Sequence, residues 1–275
     1  NNYTVLRAKF DEWLANQAVQ AGAILITETN VEDLLYEGEQ VIGVKTGRPE
    51  GDIYAKGVII AEGANSMLTQ KAGLQKDGLN TGQIAVAVKE IISIPQDKIE
   101  ERFNLEEGQG ATIELLGDAT QGMVGTGFIY TNKDSLSVGV GALLSQVVRQ
   151  KINPNELLER MKNHPVIKPL LKDGETKEYL GHLIPEGGYH GIPKLYKGGL
   201  LVAGDAAMFV NGLHREGSNL AMISGKLAGE AMIQAKIKGD FSEQQLSSYE
   251  RELKKTFVVK DLQKYQNVTS LLETN

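Results

Sequence analysis

Two short, wholly apolar runs dominate what this chain can become: Val58-Ile59-Ile60-Ala61 and Leu200-Leu201-Val202-Ala203. A strand without polar alternation suits a position covered on both faces, as in a parallel sheet. Each run ends in a glycine beside a carboxylate, Glu62-Gly63 after the first and Gly204-Asp205 after the second. The shared layout predicts two strand ends converging on one crevice. After Asp205 comes a polar loop rich in Gly, Asn, His and Arg, and then a helix over 216–238 with Ala221, Ser224, Gly225, Ala228, Gly229 and Ala231 along it. That order offers one ligand a backbone turn, a carboxylate and a helix N-terminus, whose N–H groups and dipole stabilise negative charge. The bland readings stand beside it. A Gly-Asp pair is also an ordinary strand-to-loop turn, and Ser218 or Asn219 is also an ordinary helix cap.

Composition narrows the chemistry. The chain has 275 residues, a net charge of −6 and no cysteine. Absence of cysteine removes disulfides, thiolate metal sites, iron–sulfur clusters and a catalytic thiol, so redox chemistry requires an organic cofactor or another polypeptide. Lysines are scattered among glutamates without a basic face, which argues against nucleic acid as a partner. No apolar run approaches the roughly 18–20 residues that cross a bilayer. His164, His182 and His190 lack metal-ligand spacing, and Ser66 follows Asn65 rather than sitting in G-x-S-x-G, so neither a metal centre nor a hydrolase elbow is expected. His214 and Arg215 lie in the loop before the long helix, facing either a cofactor or solvent.

Along the chain, residues 4–21 place Val5, Leu6, Phe10, Trp13, Leu14 and Ala18 near one helical face, with Gly22 as the stop. Strands are expected at Ala23 to Thr27, Thr29 to Tyr36 and Gln40 to Thr46, with a turn at Glu37-Gly38-Glu39. From Gln83 to Gly141, strand-like runs separated by turn signals read as an antiparallel sheet with a short helix at Pro95 to Phe103. Pro154 to Lys162 reads as a helix capped by Asn153. The expected organisation is a first domain at 1–76 and 186–240, a sheet-rich domain at 77–185, and a helical segment at 241–275.

Longer strings carry a family likeness. The string GLLVAGDAA, with Arg215, Gly217, Asn219-Leu220-Ala221 and Ser224-Gly225 after it, resembles the second FAD signature of the glutathione-reductase-like flavoproteins. Within these it is most similar to the geranylgeranyl reductase and electron-transfer-flavoprotein:quinone oxidoreductase group. Residues 3–11 (YTVLRAKFD), 100–103 (EERF), 130–137 (YTNKDSLS) and 182–188 (HLIPEGG) look like the FixC-type flavoprotein dehydrogenases.

The resemblance implies an α/β fold in which a Rossmann-like FAD-binding domain is interrupted by an antiparallel-sheet domain. It implies electrons arriving from a reduced electron-transfer flavoprotein and leaving to a ferredoxin-like protein or quinone. It further implies a cytoplasmic protein with peripheral contact at the inner face of the membrane. Cofactor contacts would come from Arg7, Val31, Glu62, Gly63, Gly204, Asp205, Arg215, Gly217, Ser218 and Asn219. Asp205 would hold the ribityl or ribose-phosphate region, the backbone after Gly217 would face the flavin's pyrimidine edge, and the Val31 backbone would lie near adenine. Because electron transfer needs no side-chain acid or base, no catalytic residue is nominated.

Two departures stand out. The family's N-terminal G-x-G-x-x-G loop is absent from the 31 glycines of this chain, and the proline common after the GDAA string is missing. The expectation is a fragment without the N-terminal strand and loop, leaving a strand position in the parallel sheet unfilled. The alternatives are a flavin-dependent polyprenyl reductase or hydroxylase, and a non-catalytic binding module.

Overall fold

A computed structural model describes residues 3–75 and 80–268. The backbone forms two compact units, Asn1–Thr27 with Val86–His182, and Glu28–Ala85 with Leu183–Asn275. The domain limit expected at residues 76 and 77 lies outside the described residues, whereas residues 3–27, expected with the cofactor domain, group with the sheet-rich unit.

Helix α1 (Arg7–Gln20) stops as its sequence predicts. Gly22 takes φ +98°, and the N–H of Ala23 donates to Ala18 O at 3.0 Å, closing the last turn. Its apolar face differs from expectation: no residue of α1 is buried and Trp13 is 55% exposed. The strand expected at Ala23 to Thr27 is irregular, with Ile24 88% exposed. Both differences have one cause. A helix stripe or strand is stabilised by the neighbour that covers it or pairs with it, and among the described residues none does so here.

Next come β1 (Val31–Glu37), β2 (Gln40–Thr46), β3 (Ile53–Tyr54), β4 (Val58–Ile60) and α2 (Met67–Lys71). Gly38 at φ +61° makes the tight β1–β2 turn, which lets Glu37 pair with Gln40. Sheet β1-β2-β3 is antiparallel throughout.

The sheet-rich unit holds β5 (Ile84–Ser93), α3 (Gln96–Phe103), β6 (Thr112–Leu115), β7 (Gly125–Thr131), β8 (Ser135–Leu143), α4 (Leu144–Gln150), α5 (Pro154–Asn163) and β9 (Glu175–Pro185). These strands make one sheet in the order β6-β7-β8-β5-β9, with β7 antiparallel to both β6 and β8 as expected. The N–H of Asn155 donates to Asn153 Oδ1, and Pro154 occupies the first turn of α5. Helix α5 buries Leu157, Leu158 and Met161 against Val88, Ile129, Leu136 and Val138. Each leucine removed from water in this way contributes about 2 kcal/mol. Beside them Lys162 Nζ reaches both oxygens of buried Glu90 at 3.0 Å, and Thr176 Oγ1 donates to Glu90 at 2.9 Å.

The second unit continues with β10 (Tyr196–Lys197), β11 (Leu200–Val202), α6 (Ser218–Lys238), α7 (Glu243–Leu246), α8 (Ser248–Leu253) and α9 (Phe257–Lys264). Strand β11 lies between β10 and β4 and runs parallel to β4, with Leu200, Leu201 and Val202 opposite Val58, Ile59 and Ile60. All three β11 side chains are fully buried, but β4 is at the sheet's edge with Ile59 39% exposed. The apolar run 58–61 is therefore covered less completely than its sequence suggests. Helices α6, α8 and α9 supply the apolar cover, through Ala228, Ala231, Leu253, Val258 and Leu262 among others.

Candidate flavin site

The parallel register brings the two strand ends together. Val202 sits opposite Ile60, and the N–H of Ala203 extends the pairing to Ile60 O at 2.9 Å. Glu62-Gly63 and Gly204-Asp205 thus leave the sheet side by side, at the carboxyl ends of β4 and β11, where open α/β sheets place ligands.

The two carboxylates do different work. Glu62 folds forward onto α2, accepting the N–H groups of Leu68 and Thr69 at 2.8 Å each and the Thr69 hydroxyl at 2.9 Å. It holds a helix start, and Gly63 beside it takes φ +77°. Gly204 takes φ +66°, and a Cβ there would stand 3.5 Å from Ala221 Cβ. The chain then makes a tight turn over Gly204–Ala207. The Asp205 carboxylate faces the start of α6, its Oδ1 lying 4.0 Å from the Cβ position at Gly217.

The start of α6 departs from expectation. Its N-cap is Gly217, with no side-chain cap, rather than Ser218 or Asn219. Ser218 is already the first helical residue and exposed, while Asn219 donates to Glu216 Oε2 at 3.2 Å and accepts the Leu220 N–H at 3.0 Å. A glycine cap lacks the side-chain acceptor that Ser, Thr, Asn or Asp would offer the first-turn N–H groups. The preceding loop is pinned by an isolated antiparallel bridge between Asn211 and Glu216. Within it Arg215 adopts φ +53°, an uncommon conformation for a residue with a Cβ.

Val31 opens β1, half-buried and opposite Thr46. Arg7 belongs to the sheet-rich unit and makes a two-pronged pair with Asp11, at 2.7 and 2.9 Å. It lines a cleft of about 260 Å³ with Lys89, Ile91, Ser137 and Glu178. Desolvation, and after it the Arg7 charge, holds the Lys89 ammonium below its usual range. Of the ten nominated residues, the structure gathers Glu62, Gly63, Gly204, Asp205, Gly217, Ser218, Asn219 and Arg215 around these strand ends and the loop leading into α6.

Three residues gain importance that the sequence pattern does not assign. Glu186, part of the 182–188 string, packs its carboxylate against Gly212, where an added Cβ would stand 2.1 Å from Oε2. Burial pushes this carboxyl up to about 7, against the pull of the Arg215 charge. Ser224 reads in the sequence as one of several small residues on the helix and as part of the string that resembles the FAD signature, without a role of its own; its Oγ accepts the Gly204 N–H at 3.0 Å. Tyr249, fully buried, donates to Val202 O at 3.0 Å, and burial pushes its phenol above the usual range. A serine at a buried helical position is the only local signal among these.

No family model matches the chain. Full-length comparison is decisive instead. The chain is 47% identical over its whole length to the FixC protein of Azotobacter vinelandii and 45% identical to that of Bradyrhizobium diazoefficiens. It is 39% identical over 99% of its length to the "Probable electron transfer flavoprotein-quinone oxidoreductase YdiS" of Escherichia coli K12. The chain spans 63–64% of the length of these relatives. Among solved structures, a geranylgeranyl bacteriochlorophyll reductase-like protein from Thermoplasma acidophilum superposes with a TM-score of 0.79, covering 97% of this chain and 63% of that one at 23% identity. The flavin-dependent brominase Bmp2 superposes at 0.71, covering 98% and 70% at 19% identity. At such identities these two establish the fold alone, a Rossmann-like α/β architecture joined to antiparallel sheet. By its sequence from end to end, the chain is similar to the proteins named FixC.

Proposed function

We propose that this chain forms the larger part of an FAD-dependent oxidoreductase that takes electrons from a reduced electron-transfer flavoprotein and passes them to a quinone or a ferredoxin-like protein. The carrying observation is the Asp205 carboxylate at the carboxyl end of β11, its Oδ1 lying 4.0 Å from the Cβ position at Gly217, the glycine that caps the start of α6. The fit is chemical. Two glycines with no side chain allow close approach, a carboxylate can accept ligand hydroxyls, and α6 presents N–H groups and a positive dipole end. FAD, when bound, would supply the redox chemistry; the chain's residues would bind and orient it.

In this reading Asp205 accepts hydrogen bonds from hydroxyls of the ribityl or ribose-phosphate region. The first turn of α6, from Gly217 through Ser218 and Asn219, stabilises negative charge set against it. Val31 contributes its backbone, and Gly63 and Glu62 border the crevice while Glu62 keeps α2 in place. Among the described residues no helix is long and apolar enough to cross a membrane. Exchange with a quinone would take place at a membrane surface.

The test uses the full-length protein. Asp205→Ala is expected to weaken FAD binding at least about tenfold, the loss of one or two hydrogen bonds to a charged acceptor, and to shift the flavin potential. Unchanged occupancy and potential would remove Asp205 from the site. Stopped-flow mixing with reduced electron-transfer flavoprotein should bleach the flavin bands, and failure to do so would exclude that donor.

A further inference from the structure

We propose that Ser224 and Tyr249 act as a pair of positioning residues for the Gly204-Asp205 turn, an inference that rests on the flavin reading above. Strand β11 leaves its sheet at Ala203, and the backbone groups flanking that exit point into the apolar interior. Two helices answer them with hydroxyls. From α6, Ser224 Oγ accepts the Gly204 N–H at 3.0 Å and donates to Ala221 O at 3.0 Å. From α8, Tyr249 Oη donates to Val202 O at 3.0 Å. Both side chains are fully buried, so water cannot replace either hydroxyl.

The consequence reaches the ligand through one peptide unit. Gly204 holds its left-handed conformation with Ala221 close behind it, and the next residue is Asp205, whose Oδ1 faces Gly217. Rotation of the Gly204 peptide would swing that carboxylate relative to the first turn of α6. Ser224 sits on that same helix, about two turns beyond its N-cap. A single hydroxyl therefore fixes the carboxylate and the helix terminus in one frame. That is the preorganisation a cofactor site requires, because a supporting group left loose costs affinity without touching the ligand.

The experiment compares wild type, Ser224→Ala and Tyr249→Phe in the full-length protein. In the FAD-free protein the Gly204 amide should exchange at least about tenfold faster in Ser224→Ala, since the buried N–H loses its acceptor. After loading, the FAD dissociation constant should rise at least about tenfold in Ser224→Ala, and the flavin's visible band and reduction potential should move. Tyr249→Phe should shift the same quantities in the same direction by less. A Ser224→Ala protein that melts earlier but keeps wild-type affinity, spectrum and potential would overturn the proposal, leaving a structural bond only. Unchanged Gly204 exchange would overturn it as well. Should Ser224→Ala fail to fold, Tyr249→Phe decides: wild-type flavin properties there overturn the pairing. Wild-type protein that takes up no FAD would overturn the functional reading and this one with it, while the amide exchange still reports on the hydrogen bond itself.

Discussion

The Glu186 carboxyl gives the sharpest thermodynamic prediction, and Glu186→Gln is the perturbation. Its carboxylate is packed against Gly212, with no room for even a methyl group between them, and its own N–H donates to Gln83 O at 2.7 Å. Burial raises its pKa from 4.5 to about 7 despite Arg215. At 1.36 kcal/mol for each pH step, the difference amounts to about 3 kcal/mol of stability. The sign depends on which form the fold prefers. A raised pKa means the folded protein holds this proton more tightly than the unfolded chain. The contribution is therefore fully present below about pH 4.5 and lost as pH rises through about 7. Glutamine carries no titrating proton, so the stability of Glu186→Gln should not fall with this group, and the other carboxylates cancel in the comparison. Urea unfolding tracked by far-ultraviolet circular dichroism at several pH values between 4.5 and 8 would measure it. The variant should gain on wild type by up to about 3 kcal/mol toward pH 8, about 1 M in midpoint for a slope near 3 kcal/mol/M. Parallel stability curves for the two proteins, or a directly measured Glu186 titration near 4.5, would refute the reasoning.

Three further outcomes are expected. Glu90→Ala should cost about 3–5 kcal/mol, because it removes the buried partner of the largely buried Lys162 ammonium and leaves it with the more exposed Glu159; thermal unfolding would show it, and replacement of Glu90, Lys162 and Thr176 together by apolar residues should recover most of the loss. Gly199→Ala should cost about 3 kcal/mol or more, since the residue has φ +73° and a Cβ would stand 2.0 Å from the backbone oxygen of Val41; a loss below about 1 kcal/mol by denaturant titration would contradict that crowding. Glu62→Ala should destabilise by about 1–3 kcal/mol through the uncapped N–H groups of α2, with Glu62→Gln losing less in the same denaturant titration because its amide oxygen still accepts one of them.

The features legible in the sequence and those hidden from it divide on whether a residue's partner is local. Strand β2 matches its expected limits because Gly38 and the flanking alternation are local facts. The same holds for α5, whose Asn153 and Pro154 sit at its own start. The apolar stripe of α1 and the run after it contain the right residues, but burial belongs to a neighbour as much as to the stripe. Glu62-Gly63 and Gly204-Asp205 carry this point furthest. Their layouts are nearly alike, and both stand at the carboxyl end of a parallel strand. The difference between them lies in the distance along the chain to the next helix. Helix α2 begins a few residues after Glu62, close enough for its first N–H groups to close onto that carboxylate. A tight turn and the bridged loop through Arg215 come after Asp205, so α6 arrives from farther along the chain and meets Asp205 with its own terminus capped by glycine. One carboxylate thereby completes a helix start, and the other stands beside a helix start whose cap has no side chain. A ligand bearing both hydroxyls and negative charge is the species that would engage both halves of that second arrangement at once.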